Sequence, residues 1–345
     1  MFKPDYAITN KLLSNIKQIN SIVLELNNKR FSNVVLFEFE KNAREISTYA
    51  STKIEGNPLP LTYVKSILKN QPQNLKNSEQ EVINYNKALK ELNEDIPRGQ
   101  KSFGLDLILS IHKEVTYKLI PKYQCGKLRE EPVFINNPKT GLTVYWPPDF
   151  KDVTKFMNDL ISFVINSKGV IDPLIIAGIF HKQFVIIHPF MDGNGRTARL
   201  STKILLADMG LNTFNLFSFE NYYNRNVANY FNNVGILGSY YDIAGSIDFT
   251  GWLEYFTDGV IDELLRVKKL LIKLTASPKT ELMIYHKKIL KFINEKGYIS
   301  DRDYAKLTNR AKATRSLDFN KLIDMDLIQR KGKGRATYYQ LKEGQ

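Results

Sequence analysis

Apolar positions recur at helical spacing along most of the chain. Ile16, Ile19, Ile22, Val23 and Leu26 share one helical face, and Val82, Tyr85, Ala88, Leu89 and Leu92 share another, the pattern of helices that bury a single stripe. A helix predicted over 40–54 must stop at Gly56-Asn57-Pro58, because glycine suits the C-terminal cap and proline cannot continue the helix. Glu55 is thereby left at a helix end. Two further helices are predicted over 150–165 and 173–187, and the second, apolar on nearly every face, is the expected central buried helix.

The period changes between 129 and 148, where Val133-Phe134-Ile135 and Leu142-Thr143-Val144-Tyr145-Trp146 flank the turn-rich Asn136-Asn137-Pro138-Lys139-Thr140-Gly141. Two β-prone runs around such a centre predict a hairpin. A strand pair inside a helical chain is a minority element, and a functional flap is the natural use for one. Beyond about 279 the pattern predicts helices at 284–294, 300–307 and 313–325, then a strand-turn-strand over 327–341 around Gly332-Lys333-Gly334-Arg335, an order that resembles a winged helix-turn-helix. The expected architecture is mainly α: N-terminal helices over 1–100, a helical core with a small β-hairpin flap over 101–275, and the winged-helix-like part over 279–345.

Composition narrows the classes. At 345 residues, 43% hydrophobic and 25% charged, the chain can bury a real core and is not of the disordered type. It has no charge-free apolar run long enough to cross a bilayer and no signal-peptide pattern at its start, so the expected partners include no membrane and the expected location is cytoplasmic. One cysteine, Cys125, cannot form an internal disulfide, and four scattered histidines lack the spacing of a zinc site. The net charge of +13 points to an anionic partner, but sixteen Lys or Arg against eight Asp or Glu from Pro278 onward place most of that excess in the C-terminal part.

The segment His188-Pro189-Phe190-Met191-Asp192-Gly193-Asn194-Gly195-Arg196-Thr197-Ala198-Arg199 carries the chemistry. Gly193 and Gly195 let backbone N–H groups approach a ligand where a helix begins at about Asn194, and a glycine-rich turn feeding a helix N-terminus is an anion site. Arg196 and Arg199, three apart, share a helix face and can both reach phosphates. Asp192 is a hard oxygen ligand placed as Mg2+ on a nucleotide would need, and His188 is the nearby side chain whose proton affinity suits a general base. A cradle, a metal ligand, two cations and a base together suggest phosphoryl or nucleotidyl transfer. No Walker signature competes.

This segment resembles in full the His-x-Phe-x-Asp/Glu-Gly-Asn-Gly-Arg-x-x-Arg signature of the Fic family, and the likeness extends to Gly126-Lys127-Leu128-Arg129, the hairpin, Tyr145-Trp146-Pro147-Pro148 and the stretch 248–256. The resemblance implies a Fic-type helical core and transfer of AMP from ATP, with Mg2+, to a Ser, Thr or Tyr hydroxyl of a protein target, self-modification included. In that reading His188 deprotonates the hydroxyl, Phe190 anchors the loop, Asp192 holds Mg2+, and Asn194 with the Gly193 and Gly195 backbone holds the α-phosphate. Arg196 and Arg199 hold the rest of the triphosphate, and the hairpin pairs with the target main chain. Of two tyrosine pairs in the aromatic stretch 214–241, Tyr240 and Tyr241 are favoured over Tyr222 and Tyr223 for the adenine, although core packing explains most of these rings.

Ser51-Thr52-Lys53-Ile54-Glu55-Gly56 resembles the inhibitory Ser/Thr-x-x-x-Glu-Gly/Asn motif of some family members. Ser51 and Glu55 share a helix face, and a carboxylate at a helix C-terminus asks for a cation. The resemblance makes that cation Arg199. His112, His181 and His286 read as helix-face or packing residues. Alternative functions are removal of AMP with Glu55 aligning a water, transfer from another donor, and a DNA-binding regulator whose core senses nucleotide. The last would use Arg310, Lys312 and Arg315 near a recognition helix and Lys331, Lys333 and Arg335 on the wing. A homodimer through the N-terminal helices is a further way to couple assembly to inhibition.

Overall fold

Glycine and proline positions break the helical pattern into many short elements, and the computed structural model shows how they assemble. It describes residues 2–28, 33–95, 103–137, 140–207, 218–275, 282–325 and 327–342, and their side chains except at 33–38, 95, 272–275, 294 and 335. The contacts divide the chain into one unit of residues 1–29 and 42–267 and another of residues 30–41 and 268–345.

In the first unit α1 (Asn10–Asn27) starts at Thr9, whose hydroxyl accepts the Leu12 N–H at 3.0 Å, and buries the predicted stripe from Ile16 to Leu26 together with Leu12. Helix α2 (Asn33–Ile54) ends at Gly56, whose φ of +93° is the left-handed turn that glycine adopts freely. Then follow α3 (Leu61–Asn70), α4 (Asn77–Asp95), α5 (Leu105–Val115), the hairpin, α6 (Phe150–Ser167), α7 (Pro173–Ile187), α8 (Asn194–Ala207), α9 (Phe219–Arg225), α10 (Val227–Val234), α11 (Tyr240–Ile243) and α12 (Thr250–Thr275). Helix α7 is the predicted central helix: Asp172 caps its start, and every residue but Pro173 and Val185 is buried. Each apolar side chain so buried contributes about 1.5–3 kcal/mol. The helix that leads into the His188 loop is therefore held far more firmly than any single loop contact could hold it. Gly178 lets α12 lie against it: a Cβ there would stand 2.6 Å from Leu253, and Trp252 donates its indole N–H to the Gly178 carbonyl at 2.7 Å.

The hairpin is shorter than the sequence pattern suggests. Strand β1 (Ile135–Asn136) pairs antiparallel with β2 (Thr143–Trp146), with Val133 outside the ladder; Pro138 and Lys139 of the turn lie outside the described residues. A third strand, β3 (Gly238–Ser239), pairs parallel with β2, so the sheet order is β1-β2-β3 and β2 is central. No alternation marks β3, and two residues are too few to show a period.

The second unit packs α13 (Ile284–Lys296), α14 (Asp301–Leu307) and α15 (Lys312–Asp324) with the antiparallel strands β4 (Ile328–Lys331) and β5 (Tyr338–Leu341). Ile299 and Tyr339 exchange backbone hydrogen bonds at 2.9 and 2.8 Å, and Ile289, Ile293, Tyr304, Phe319 and Leu322 form the core. Arg310 pairs with the buried Asp318 and lies 3.6 Å over the Tyr285 ring, while Arg315 grips Asp301 with two bonds of 2.8 and 2.9 Å. The arginines expected to face a ligand are thus engaged inside the unit; the Arg335 side chain lies outside the described residues. Among the described residues no helix is long and apolar enough to cross a membrane.

Candidate active site

The loop between α7 and α8 and the first turns of α8 hold the twelve-residue motif. Helix α7 ends because Pro189 follows, and His188 caps it in the left-handed region at φ +50°, its N–H donating to the Phe184 carbonyl. The imidazole Nδ1 lies 3.3 Å from the Val185 carbonyl, which can only accept, so Nδ1 carries the proton and Nε2 presents a lone pair. Burial drives the pKa down to about 4 against the pull of that carbonyl, and at neutral pH the ring is uncharged.

One arginine holds two backbone carbonyls of this loop. Arg129 donates Nε to the His188 carbonyl at 2.9 Å and its own N–H to the Pro189 carbonyl at 2.9 Å, and is steadied by the Pro148 carbonyl. Asn194 closes the turn onto Phe190, donating from Nδ2 to its carbonyl at 2.8 Å and accepting its N–H at 2.9 Å. Its side chain is thus occupied in shaping the loop, and the backbone N–H groups at the start of α8 are what it leaves for an anion. Phe190 is fully buried, stacked on the His112 ring at 3.7 Å and 4°. Gly193 has φ +78°, and a Cβ there would stand 2.7 Å from Thr116, so the last turn of α5 is the floor beneath the cradle.

The charged side chains converge on this helix start. Asp192 accepts from the Gly193 N–H and from Arg196 at 3.1 Å while remaining 53% exposed. Arg196 is also 2.9 Å from Glu81 of α4, whose pKa burial raises against the attraction of that guanidinium. Arg199, with no exposed side-chain surface, donates Nε to the Ser51 hydroxyl at 2.8 Å and Nη2 to the Ser51 carbonyl at 3.0 Å and to Glu55 at 2.7 Å. Burial opposes its charge, but Glu55 with the Tyr230 and Tyr85 phenols outweighs it and holds the pKa above the ordinary value. Glu55 also rests on Gly195, where a Cβ would lie 2.2 Å from its oxygen. The carboxylate lies at the anion-binding end of the helix.

A second contact between α2 and α8 lies one turn back on α2 and one turn on along α8. Lys203 donates to Ser47 at 2.6 Å, and Ser47 donates to Glu220 at 2.9 Å, which also accepts from Tyr85 at 2.7 Å. All four are buried.

The two tyrosine pairs separate clearly. Tyr223 is buried and stacked on Tyr230 at 4.5 Å, a core position. Tyr240 packs on Phe156 and clusters with Tyr145 and Ile186 beside the β2–β3 ladder, and Tyr241, 56% exposed, donates to Asp152 at 2.5 Å. Sequence reasoning did not reach Glu81, Arg129 as a clamp on the loop, or the bonds of His112. Only the neighbourhood of Arg129 had a pattern to find.

A neutral histidine, a glycine-rich helix start and two buried arginines thus meet in one place. Residues 102–206 match the model of the Fic/DOC family, so the chain carries a Fic/DOC family domain. Protein adenylyltransferase Fic of Nematostella vectensis is 31% identical over 166 residues, covering 47% of this chain and 37% of that protein. Protein adenylyltransferase fic-1 of Caenorhabditis elegans is 29% identical over 208 residues, covering 59% of this chain and 39% of that one. The chain thus spans well under half the length of these relatives. A crystal structure of a Fic family protein from Desulfovibrio desulfuricans superposes with a TM-score of 0.66 over 100% of this chain and 99% of that chain at 21% identity, and a segment of C. elegans Fic-1 with 0.60 over 76% and 73% at 22% identity. These structures establish the helical Fic fold.

Proposed function

We propose that the chain transfers AMP from ATP to a Ser, Thr or Tyr hydroxyl of a protein target, itself included, and rests in a state held back by Glu55. The adenylyltransferase relatives support the reaction, and the observation that carries the reading is a neutral His188 beside a cradle whose anion end already holds a carboxylate. His188 Nε2 takes the hydroxyl proton as the oxygen attacks the α-phosphorus, the new O–P bond forms, the α–β bridging P–O bond breaks, and pyrophosphate leaves with the pair. The N–H groups of Asn194 and Gly195, with that of Gly193 once the Asp192 carboxylate releases it, hold the α-phosphate, Arg196 and Arg199 the remainder, and Tyr240 and Tyr241 flank the base.

Asp192 would hold Mg2+. Its half-exposed carboxylate beside the cradle fits an ion that keeps waters and takes one carboxylate with substrate phosphates, and among the described residues no group of three or more His, Cys, Asp or Glu offers a closed cage. The ion would neutralise phosphate charge. Glu55 restrains the reaction because its bond to Arg199 takes the cation that a γ-phosphate needs.

The test is intact-mass spectrometry of Glu55→Gly with ATP and Mg2+, beside the double mutant carrying His188→Ala. Gain of AMP in the first and none in the second is the expected result. No gain with any nucleoside triphosphate, or loss of AMP from a pre-modified target, would replace this reading with the reverse reaction or another donor. A second reading, duplex DNA at the C-terminal unit, draws on the helices α14 and α15 with their adjoining strands and on exposed Lys312, Lys331 and Lys333. The cytoplasm is the location we infer for either.

A further inference from the structure

We propose that His112 is a positioning residue of this site, fixing the Asp192 peptide so that its carbonyl faces away from the cradle and the N–H groups that follow face in. The inference rests on the nucleotide-transfer reading and assigns a role to a side chain that sequence pattern classes as packing.

His112 lies in the last turn of α5 with no exposed surface. The Gly126 N–H reaches its Nδ1 at 2.9 Å and can only donate, so Nδ1 is the acceptor and Nε2 carries the hydrogen. That Nε2–H then meets the Asp192 carbonyl at 3.0 Å. The ring face lies flat on Phe190. One imidazole thus ties three segments: the turn at Gly126 that leads into Arg129, the aromatic anchor of the loop, and the peptide between Asp192 and Gly193.

That peptide matters because a peptide unit is a dipole. With its carbonyl held by His112, its N–H end, on Gly193, points the opposite way and donates to the Asp192 carboxylate, which holds that carboxylate beside the helix start; a rotated peptide would turn a partial negative charge toward the phosphates instead. Gly193, free to adopt many backbone angles, does not resist that rotation by itself. The restraint comes from the donor on α5. The same bond sets where the Asp192 carboxylate starts.

Three substitutions separate the contacts. His112→Phe keeps a ring over Phe190 and loses both hydrogen bonds; His112→Asn can accept from Gly126 but cannot reach Asp192; His112→Gln places an amide donor near the position of Nε2. In the Glu55→Gly background, ATP affinity with Mg2+ measured by calorimetry, together with KM and kcat for self-modification, reads the effect. The expected result is ATP affinity about ten-fold or more weaker in Phe and Asn, carried mainly in KM, and recovered to within about three-fold in Gln. Melting temperature monitors folding throughout. Equal affinity in all three, or loss in Gln equal to that in Phe at matched stability, overturns the proposal. A Glu55→Gly parent that binds no ATP instead removes the transfer reading, and this inference with it.

Discussion

The two units each bury an ion pair, and they bury opposite members of it. At Arg199 and Glu55 the cation is the inner partner, 0% exposed against 27%. At Arg310 and Asp318 the carboxylate is inner, 5% exposed against 28%. In the first case the fixed object is a positive charge whose Nη1 has no hydrogen-bond partner among the described residues, so another anion can take the outer position. In the second it is a negative charge already served by Tyr304 at 2.7 Å and by His286, and the arginine neutralises it. Which partner is inside therefore tells an anion site from a structural pair better than the presence of arginine does. Arg315 and Asp301, at 13% and 41%, share the orientation of the first but have both carboxylate oxygens engaged by the one guanidinium.

Removing the carboxylate on each side is the strongest way to break the comparison. Glu55→Gly should raise self-modification about 10²-fold, the equivalent of about 2.7 kcal/mol. It should also lower stability by about 1–3 kcal/mol, because Arg199 is left buried without its charge, and ATP with Mg2+ should restore that loss. Asp318→Ala should cost about 3 kcal/mol in the second unit, with no recovery on adding ATP and no change in the transfer activity of Glu55→Gly. Thermal melts with and without nucleotide, beside intact mass, decide it; equal rescue of both variants would erase the distinction.

Acid tests the electrostatics of the first unit next. His112, His181 and His188 have pKa values of about 4, 3 and 4, pushed down chiefly by burial from an ordinary 6.5. Between those values and 6.5 the unfolded chain binds more protons, so stability should fall as pH drops below about 6.5 and level off near the lower values. The acid limb of transfer by Glu55→Gly should lie well below 6.5 for the same reason. A rate that halves at 6.5 would mean a solvated base.

A smaller effect concerns duplex binding. If the second unit holds DNA at low salt, Lys312, Lys331 and Lys333 changed to Ala should weaken it several-fold, whereas Arg310→Gln should change it less than it changes the melting of the unit. Electrophoretic mobility across a salt series measures this. The smallest effect on stability is at His188, where Asn, which tolerates the left-handed backbone, should gain up to about 1 kcal/mol by thermal melt while abolishing transfer.

Local signals were the legible ones. Helix α7 runs over the predicted residues because Asp172-Pro173 starts it and Pro189 stops it, and α2 ends before Gly56 as expected. The twelve-residue motif was readable because its parts are consecutive. The pairing of Glu55 with Arg199 was reached through resemblance, and in the structure the two side chains stand 2.7 Å apart. What sequence pattern could not carry was contact between distant segments: Glu81 on Arg196, Arg129 on the loop carbonyls, strand β3 on β2. Arg310 and Arg315 show the same limit, since a basic stretch says nothing about which acids fold back onto it.

The left-handed turn at His188 has a consequence for descent. A histidine held in a conformation that asparagine or glycine occupies at lower cost gives up a little stability for its side chain. A copy of this gene with no need of the imidazole can take asparagine or glycine there without harm to the fold, so the identity of this one position should separate working lineages from retired ones.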